Sequence, residues 1–285
     1  MKIVKKIFSG VFLAAFLAAF LPSSEAQIKL KQDTLDCPAI GFGVGLVAPF
    51  GGLSTATAID GSQSTAGTMA DLYAAPYLDF CINAAWKFQS NWLVTLDGDI
   101  WFGANNDNLT YRKERMGDIF TSEDIIISYG GSDGVVTCYN RAIAVRAGGG
   151  KIFPVIPGNP NSGITARLNA GWFMQRTVFS QNLNENPVPQ LSGRYRKLYD
   201  HYRNGLILSE GVGFWFMSNN LNLVNFSIEF QVSQCLSWSS RKYMLDNRMG
   251  LNGKDGNTYF DMLYGVKFTW MFPLRGKSAY DYYFY

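Results

Sequence analysis

The sequence predicts an all-β protein: a transmembrane, antiparallel, up-and-down β-barrel of eight strands. Three observations predict it. Eight stretches alternate apolar and polar residues with the period of two that puts successive strand residues on opposite faces. The connections between them alternate short and long. The chain opens with an export signal, and nothing after it is long and apolar enough for a membrane-crossing helix. In lipid, only helices and closed barrels satisfy every backbone group.

The signal occupies residues 1–26. Lys2, Lys5 and Lys6 form a basic start, residues 7–21 an apolar core, and Ser24-Glu25-Ala26 offers small residues for cleavage before Gln27. The core of about 15 residues is shorter than a spanning helix needs. Removing the segment takes Lys2, Lys5, Lys6 and Glu25 with it, and the formal charge falls from +3 to +1. That balance excludes an electrostatic footprint for nucleic acid. Aromatic residues make up 15% of the chain and glycines number 29, both high for a soluble domain and suited to a lipid-facing wall. Four cysteines, Cys37, Cys81, Cys138 and Cys235, allow three disulfide pairings in an oxidising compartment. Three of them fall on the polar faces of different strands, which favours buried free thiols. Their spacing resembles no zinc site, so neither metal nor cofactor is expected.

The first strand covers residues 40–47, with Ile40, Phe42, Val44 and Leu46 outward and three glycines inward. The second, 71–88, sends Leu78, Phe80, Ile82, Trp86 and Phe88 out and Tyr77, Asp79, Cys81, Asn83 and Lys87 in. A tight turn at Gln89-Ser90 leads to the third, 91–103, which points Thr95, Asp97, Asp99 and Trp101 inward. The fourth, 135–152, places Asn140 and Arg146 inside, and the same phase turns Arg141 outward. The breakers Pro154, Pro157, Gly158 and Pro160 end it. The fifth, 163–177, carries Arg167, Asn169 and Gln175 inward. The sixth, 206–217, puts Glu210 on the apolar face, which requires either a place near the rim or a bulge at Gly211. The seventh, 221–236, has Glu229, Gln231 and Ser233 inside. The eighth, 258–272, has Phe260, Met262, Tyr264, Val266, Phe268, Trp270 and Phe272 on one face, with Asp261 and Lys267 on the other.

Long connections at 49–70, 104–134, 178–203 and 237–257 mark the outer side, and short ones the periplasmic side. A ten-stranded wall is the alternative if residues 124–129 form a further hairpin. The second and fourth strands exceed the 9–11 residues that cross a bilayer, so the wall is expected to rise above it. The organisation is then a signal peptide (1–26), a periplasmic N-terminal segment (27–38), the barrel (39–272) and an aromatic periplasmic tail (273–285).

These features resemble the small eight-stranded outer-membrane proteins, the OmpA-barrel and OmpX-like group. The ending Phe268-Thr269-Trp270-Met271-Phe272 resembles the aromatic signal read by the barrel-assembly machinery, which implies that partner during biogenesis. The chain departs from the group in continuing past it, to Tyr280-Asp281-Tyr282-Tyr283-Phe284-Tyr285. The overall look, with Gln27 after the cut, resembles a Bacteroidota barrel. Asp33-Thr34-Leu35 resembles a short O-glycosylation motif of that group, with Thr34 as acceptor. The resemblance implies a Gram-negative outer-membrane location, with membrane lipid and lipopolysaccharide as neighbours.

Three sets of residues are candidates for chemistry. Asp79, Asp97, Asp99, Glu229 and Asp261 share the inward face with Lys87, Arg146, Arg167 and Lys267. An eight-stranded interior is just wide enough for side chains to fill it, so these charges are expected to neutralise one another as a packed ionic network. The long connection before the sixth strand interleaves Arg194, Arg196, Lys197 and Arg203 with Tyr195, Tyr199, His201 and Tyr202, a surface suited to lipid phosphates or a protein partner. The tail residues Tyr280, Tyr282, Tyr283, Phe284 and Tyr285 are candidates for docking. His201 is the only histidine, and no catalytic set can be named around it. The expected function is structural or interactive, presenting loops and tail to partners or lipopolysaccharide. The alternatives are an accessory of an outer-membrane secretion machine of the type IX kind and a lipid-A-modifying enzyme at the outer rim.

Overall fold

The computed structural model describes residues 34–50, 55–57, 63–64, 76–105, 109–116, 119–181, 187–193, 195, 199, 201–218, 225–239 and 257–274. The signal segment, the tail from residue 275, and Arg194, Arg196 and Lys197 lie outside them. So do the expected starts of the second and seventh strands. Among the described residues there are ten strands: β1 Cys37–Pro49, β2 Thr55–Thr57, β3 Gln63–Ser64, β4 Tyr77–Lys87, β5 Trp92–Asn105, β6 Val136–Pro154, β7 Gly163–Gln181, β8 Arg203–Phe216, β9 Phe226–Ser239 and β10 Thr258–Pro273. Eight of them make the wall. Each pairs antiparallel with the next, and β1 closes on β10 from Ala39↔Pro273 to Pro49↔Leu263. Closure leaves no free sheet edge in the membrane.

The two short strands add nothing to the wall's circumference. β2 pairs with Thr258–Phe260 at the outer end of β10, and β3 pairs with β2. The stretch that suggested a ten-stranded wall makes two isolated bridges, Phe120↔Ile126 and Ile127↔Asp133, in a small loop hairpin. The wall is therefore eight-stranded. A short helix, α1 Leu109–Met116, lies in the same connection and is not signalled by the strand pattern. No helix among the described residues is long and apolar enough to cross a membrane.

Alternation sorts the wall residues as the strand period requires. β4 reads buried-exposed without a break from Tyr77 to Lys87. Phe42, Leu46, Ile82, Val94, Val145, Val212, Phe230 and Val266 are exposed on the outside. Aromatic rings border this belt at the short-turn end, where Phe216, Phe226 and Phe268 stack across three strands at centroid separations of 5.3 and 6.0 Å. β6 marks both borders. Arg141 lies against the Phe102 and Tyr139 rings at the outer end, and Lys151 lies over Trp92 and Phe153 at the inner end. The ten residue steps from one to the other span roughly 23 Å of barrel height at a 3.3 Å rise and a 45° tilt, close to the apolar band of outer-membrane barrels.

Glu210 departs from both expectations. β8 keeps continuous register with β7 and β9, so no bulge turns Glu210 inward. It stays on the outer face opposite Leu168 and Val232, six residues from Asn204 at the outer end and six from Phe216 at the inner one, in the middle of the belt. Gly211, expected as the bulge, has a different role. A Cβ there would collide with the Glu229 carboxylate, so glycine makes room for an interior charge.

Candidate functional site

The interior is layered, and β10 shows the order in one strand. From the outer end, its inward residues are Tyr259, Asp261, Leu263, Gly265, Lys267, Thr269 and Met271.

Around Lys267 lies the ionic network. The Lys267 ammonium donates to Asp99 at 2.5 Å and stands 3.9 Å from Asp79. Asp99 also receives Arg146 at 2.5 Å, whose second arm donates to Ser209 at 2.8 Å and Gln231 at 3.3 Å. Arg167 pairs with Glu229 at 2.5 Å and lies 3.8 Å from Asp97. Asp97 further accepts bonds from Asn169, at 2.7 Å, and Asn83. All seven charges are at least nine-tenths buried, and contributions come from β4, β5, β6, β7, β9 and β10. Each of the three cations lies against a carboxylate, which buried charge requires.

The sequence grouped nine charges here; the structure brings seven together. Lys87 stands apart at the inner mouth, where it donates to the Leu35 carbonyl and the Asn161 side-chain oxygen, both at 3.0 Å. Asp261 pairs instead with Arg203 at 3.2 Å, nearer the outer end. Arg203 is the clearest correction. It was expected on the exposed ligand surface, yet it begins β8 pointing inward, donates to Gln175 at 2.5 and 2.9 Å and lies over the Tyr259 ring. The parity it shares with Ile207 and Ser209 was the signal for this.

Apolar layers close the network on both sides. On the outer side Val47, Tyr77, Trp101, Ala142, Ala144, Phe173, Ile207, Cys235 and Leu263 pack together, with Trp101 and Phe173 ring centroids 5.9 Å apart. At the inner mouth Cys37, Ala85, Leu93, Ile152, Trp215, Met217 and Met271 form a plug that Leu35 joins. All four cysteines are free thiols, buried at separate places.

Above the rim the long connections fold on their own core. Met116, Ile119 and Ile126 pack against Val136, Cys138 and Phe179 of the raised β6–β7 hairpin and against Val188 and Leu191, with Phe120 and Tyr199 alongside. The main chain joins the two connections where the Tyr129 amide donates to the Pro187 carbonyl at 2.8 Å. This lobe leaves no periodic signature, because its core residues come from two loops and two strands. Of the expected ligand surface, Tyr195 is exposed, while Tyr199, His201 and Tyr202 are half-buried. The Tyr202 hydroxyl lies 3.2 Å from the Met174 sulfur. Thr34 is half-buried beside the inner mouth. Among the described residues no cluster could hold a metal ion.

No family model and no curated protein matches the chain. Among solved structures, it is similar to Ail, the attachment invasion locus protein of Yersinia pestis, in complex with the heparin analogue sucrose octasulfate. Identity is 11%, coverage 81% of this chain and 98% of that one, and the TM-score 0.37. OprG from Pseudomonas aeruginosa gives 11% identity, 85% and 98% coverage and a TM-score of 0.32. Neisserial surface protein A gives 10%, 81% and 95%, and 0.28. These neighbours are small eight-stranded outer-membrane barrels, and likenesses this distant bear on the fold at most. Eight antiparallel strands closed on themselves, a filled interior and an apolar outer belt make this chain a small eight-stranded transmembrane β-barrel of the outer-membrane kind.

Proposed function

We propose that the barrel is an anchor and that its outer lobe is the working part, a preformed surface offered to protein partners outside the cell. The single observation that carries this is the lobe's own apolar core. Loops that merely connect strands have no need of one, whereas a binding surface gains from being held in place before it meets its partner. On this lobe Tyr129 is 81% exposed, Val135 71%, Tyr195 61% and Ile127 49%, an aromatic and aliphatic set of the type that anchors interfaces. The layered interior supports an anchor over a channel, since apolar residues close both sides of the charged layer. Residues 1–26 act as the export signal, and the aromatic end of β10 is read by the barrel-assembly machinery.

Affinity capture of the tagged protein from native outer membranes in mild detergent tests the reading. A stoichiometric protein partner is expected, and it is lost when Tyr129→Ala and Tyr195→Ala are combined while the barrel stays folded. Capture of the barrel with lipid alone would overturn it. Truncation after Pro273 asks separately whether the tail docks onto an envelope machine.

A further inference from the structure

Two arginines stand side by side on the outside of the wall. Arg141 of β6 and Arg176 of β7 are direct cross-strand partners, and both face outward. Like charges in this position repel unless something neutralises them. Among the described residues neither makes an ion pair. Their register neighbours on that face, Phe102, Tyr139, Val178, Ile143 and Met174, include no carboxylate. Arg141 is nevertheless held in place. Its guanidinium lies 4.5 Å from the Phe102 ring centroid and 4.3 Å from that of Tyr139, and it donates to the Gly103 carbonyl at 3.4 Å. The rings favour the cation without neutralising it.

Height decides what could neutralise them. Arg141 is the outer border of the belt on β6, with Ile143 and Val145 exposed beneath it. Next to Arg176, Met174 and Trp172 continue the belt on β7. A group that reaches both guanidiniums therefore lies at the junction of hydrocarbon and headgroup. Guanidiniums bind phosphoryl oxygens bidentately, and two of them match a doubly charged monoester. We propose that Arg141 and Arg176 clamp the phosphoryl group of an outer-leaflet, multiply acylated glycolipid, whose acyl chains run down over Ile143, Met174 and Trp172. The clamp rests on the transmembrane placement above but not on the outer lobe, so the two readings fail separately.

The test uses the full-length folded barrel in maltoside micelles, with bisphosphorylated lipid A as probe and native mass spectrometry as readout. One lipid A is expected to stay on each native barrel. The double variant R141Q/R176Q should retain it about tenfold less well, and the double lysine variant should fall between. Lipid A stripped of phosphate should bind the native barrel no better than it binds the double variant. Inorganic phosphate in large excess should leave the complex intact. Thermal unfolding supplies a readout that a purely structural role would not give. R176Q should raise the melting temperature in plain micelles, where it relieves repulsion, and lower it when lipid A is present. Lys151→Gln, at the other border, should change none of these. Equal retention by the double variant, or displacement by inorganic phosphate, would overturn the proposal; the latter would make this a site for a solvated anion.

Discussion

Ten residues along β6 separate two kinds of interior. At Arg146 the strand contributes to a web of ion pairs; at Val136 it contributes to a cluster of methionine, isoleucine, valine, phenylalanine and leucine. The first lies inside a closed wall whose diameter is set by eight strands, and its side chains reach across to partners on opposite strands. The second lies above the rim, where nothing fixes the spacing and loops settle around whatever apolar groups they carry. Charge inside the wall gives each strand a unique partner at a unique height, and the glycines opposite are placed to match. A Cβ at Gly43 would collide with the Phe268 carbonyl oxygen and crowd Cys81 and Thr269, and one at Gly211 would strike Glu229. Apolar packing above the rim asks only for volume.

The comparison breaks most visibly if one charge is removed. Arg146→Met strands Asp99 with Lys267 alone and should cost about 3–5 kcal/mol, read as a fall in the urea midpoint of the folded barrel in micelles. In the lobe, Ile126→Ala should cost about 2–4 kcal/mol of local stability. Its signature is faster protease cleavage in the outer connections with the barrel's urea midpoint unchanged. A shift in that midpoint would mean that lobe and wall unfold as one unit. Replacing both members of a pair sharpens the contrast further. Arg167→Leu with Glu229→Leu should cost less than the roughly 3 kcal/mol of either change alone, because the double change leaves only Asp97, still held by Asn83 and Asn169, short of a cation. The smallest effect belongs to the outer face. Glu210→Leu should stabilise the barrel by about 1 kcal/mol in bilayers, since a carboxylate at mid-depth is unfavourable there. A loss of stability would show that Glu210 meets a partner within the membrane.

The wall was legible because alternation acts locally: each of Tyr77, Asp79, Cys81 and Asn83 declares its face through its neighbours. The pairing inside it was not, because period assigns a face but no height. Asp97 and Asp99 read alike in sequence, yet one meets Arg167 and the other Arg146 and Lys267. Arg203 was misread for a related reason. It follows a long basic, tyrosine-bearing connection, and the strand's own parity begins with it. The arginine clamp was half visible, since the phase of the fourth strand turned Arg141 outward. Its partner Arg176 lies inside the fifth strand at 163–177, but the height that sets it opposite Arg141 is not carried by the period.

The bond from Lys267 to Asp99 joins residues 168 positions apart, and its donor lies on the strand that meets β1 to close the wall. Until that final seam forms, the ammonium and the carboxylate have no low-dielectric interior in which to meet. Zipping the last strand to the first and drying out the central charges are thus one event. The emerging hairpins must therefore stay wet on their inner side until the whole chain has arrived, and insertion is as much a problem of when water leaves as of where the strands go.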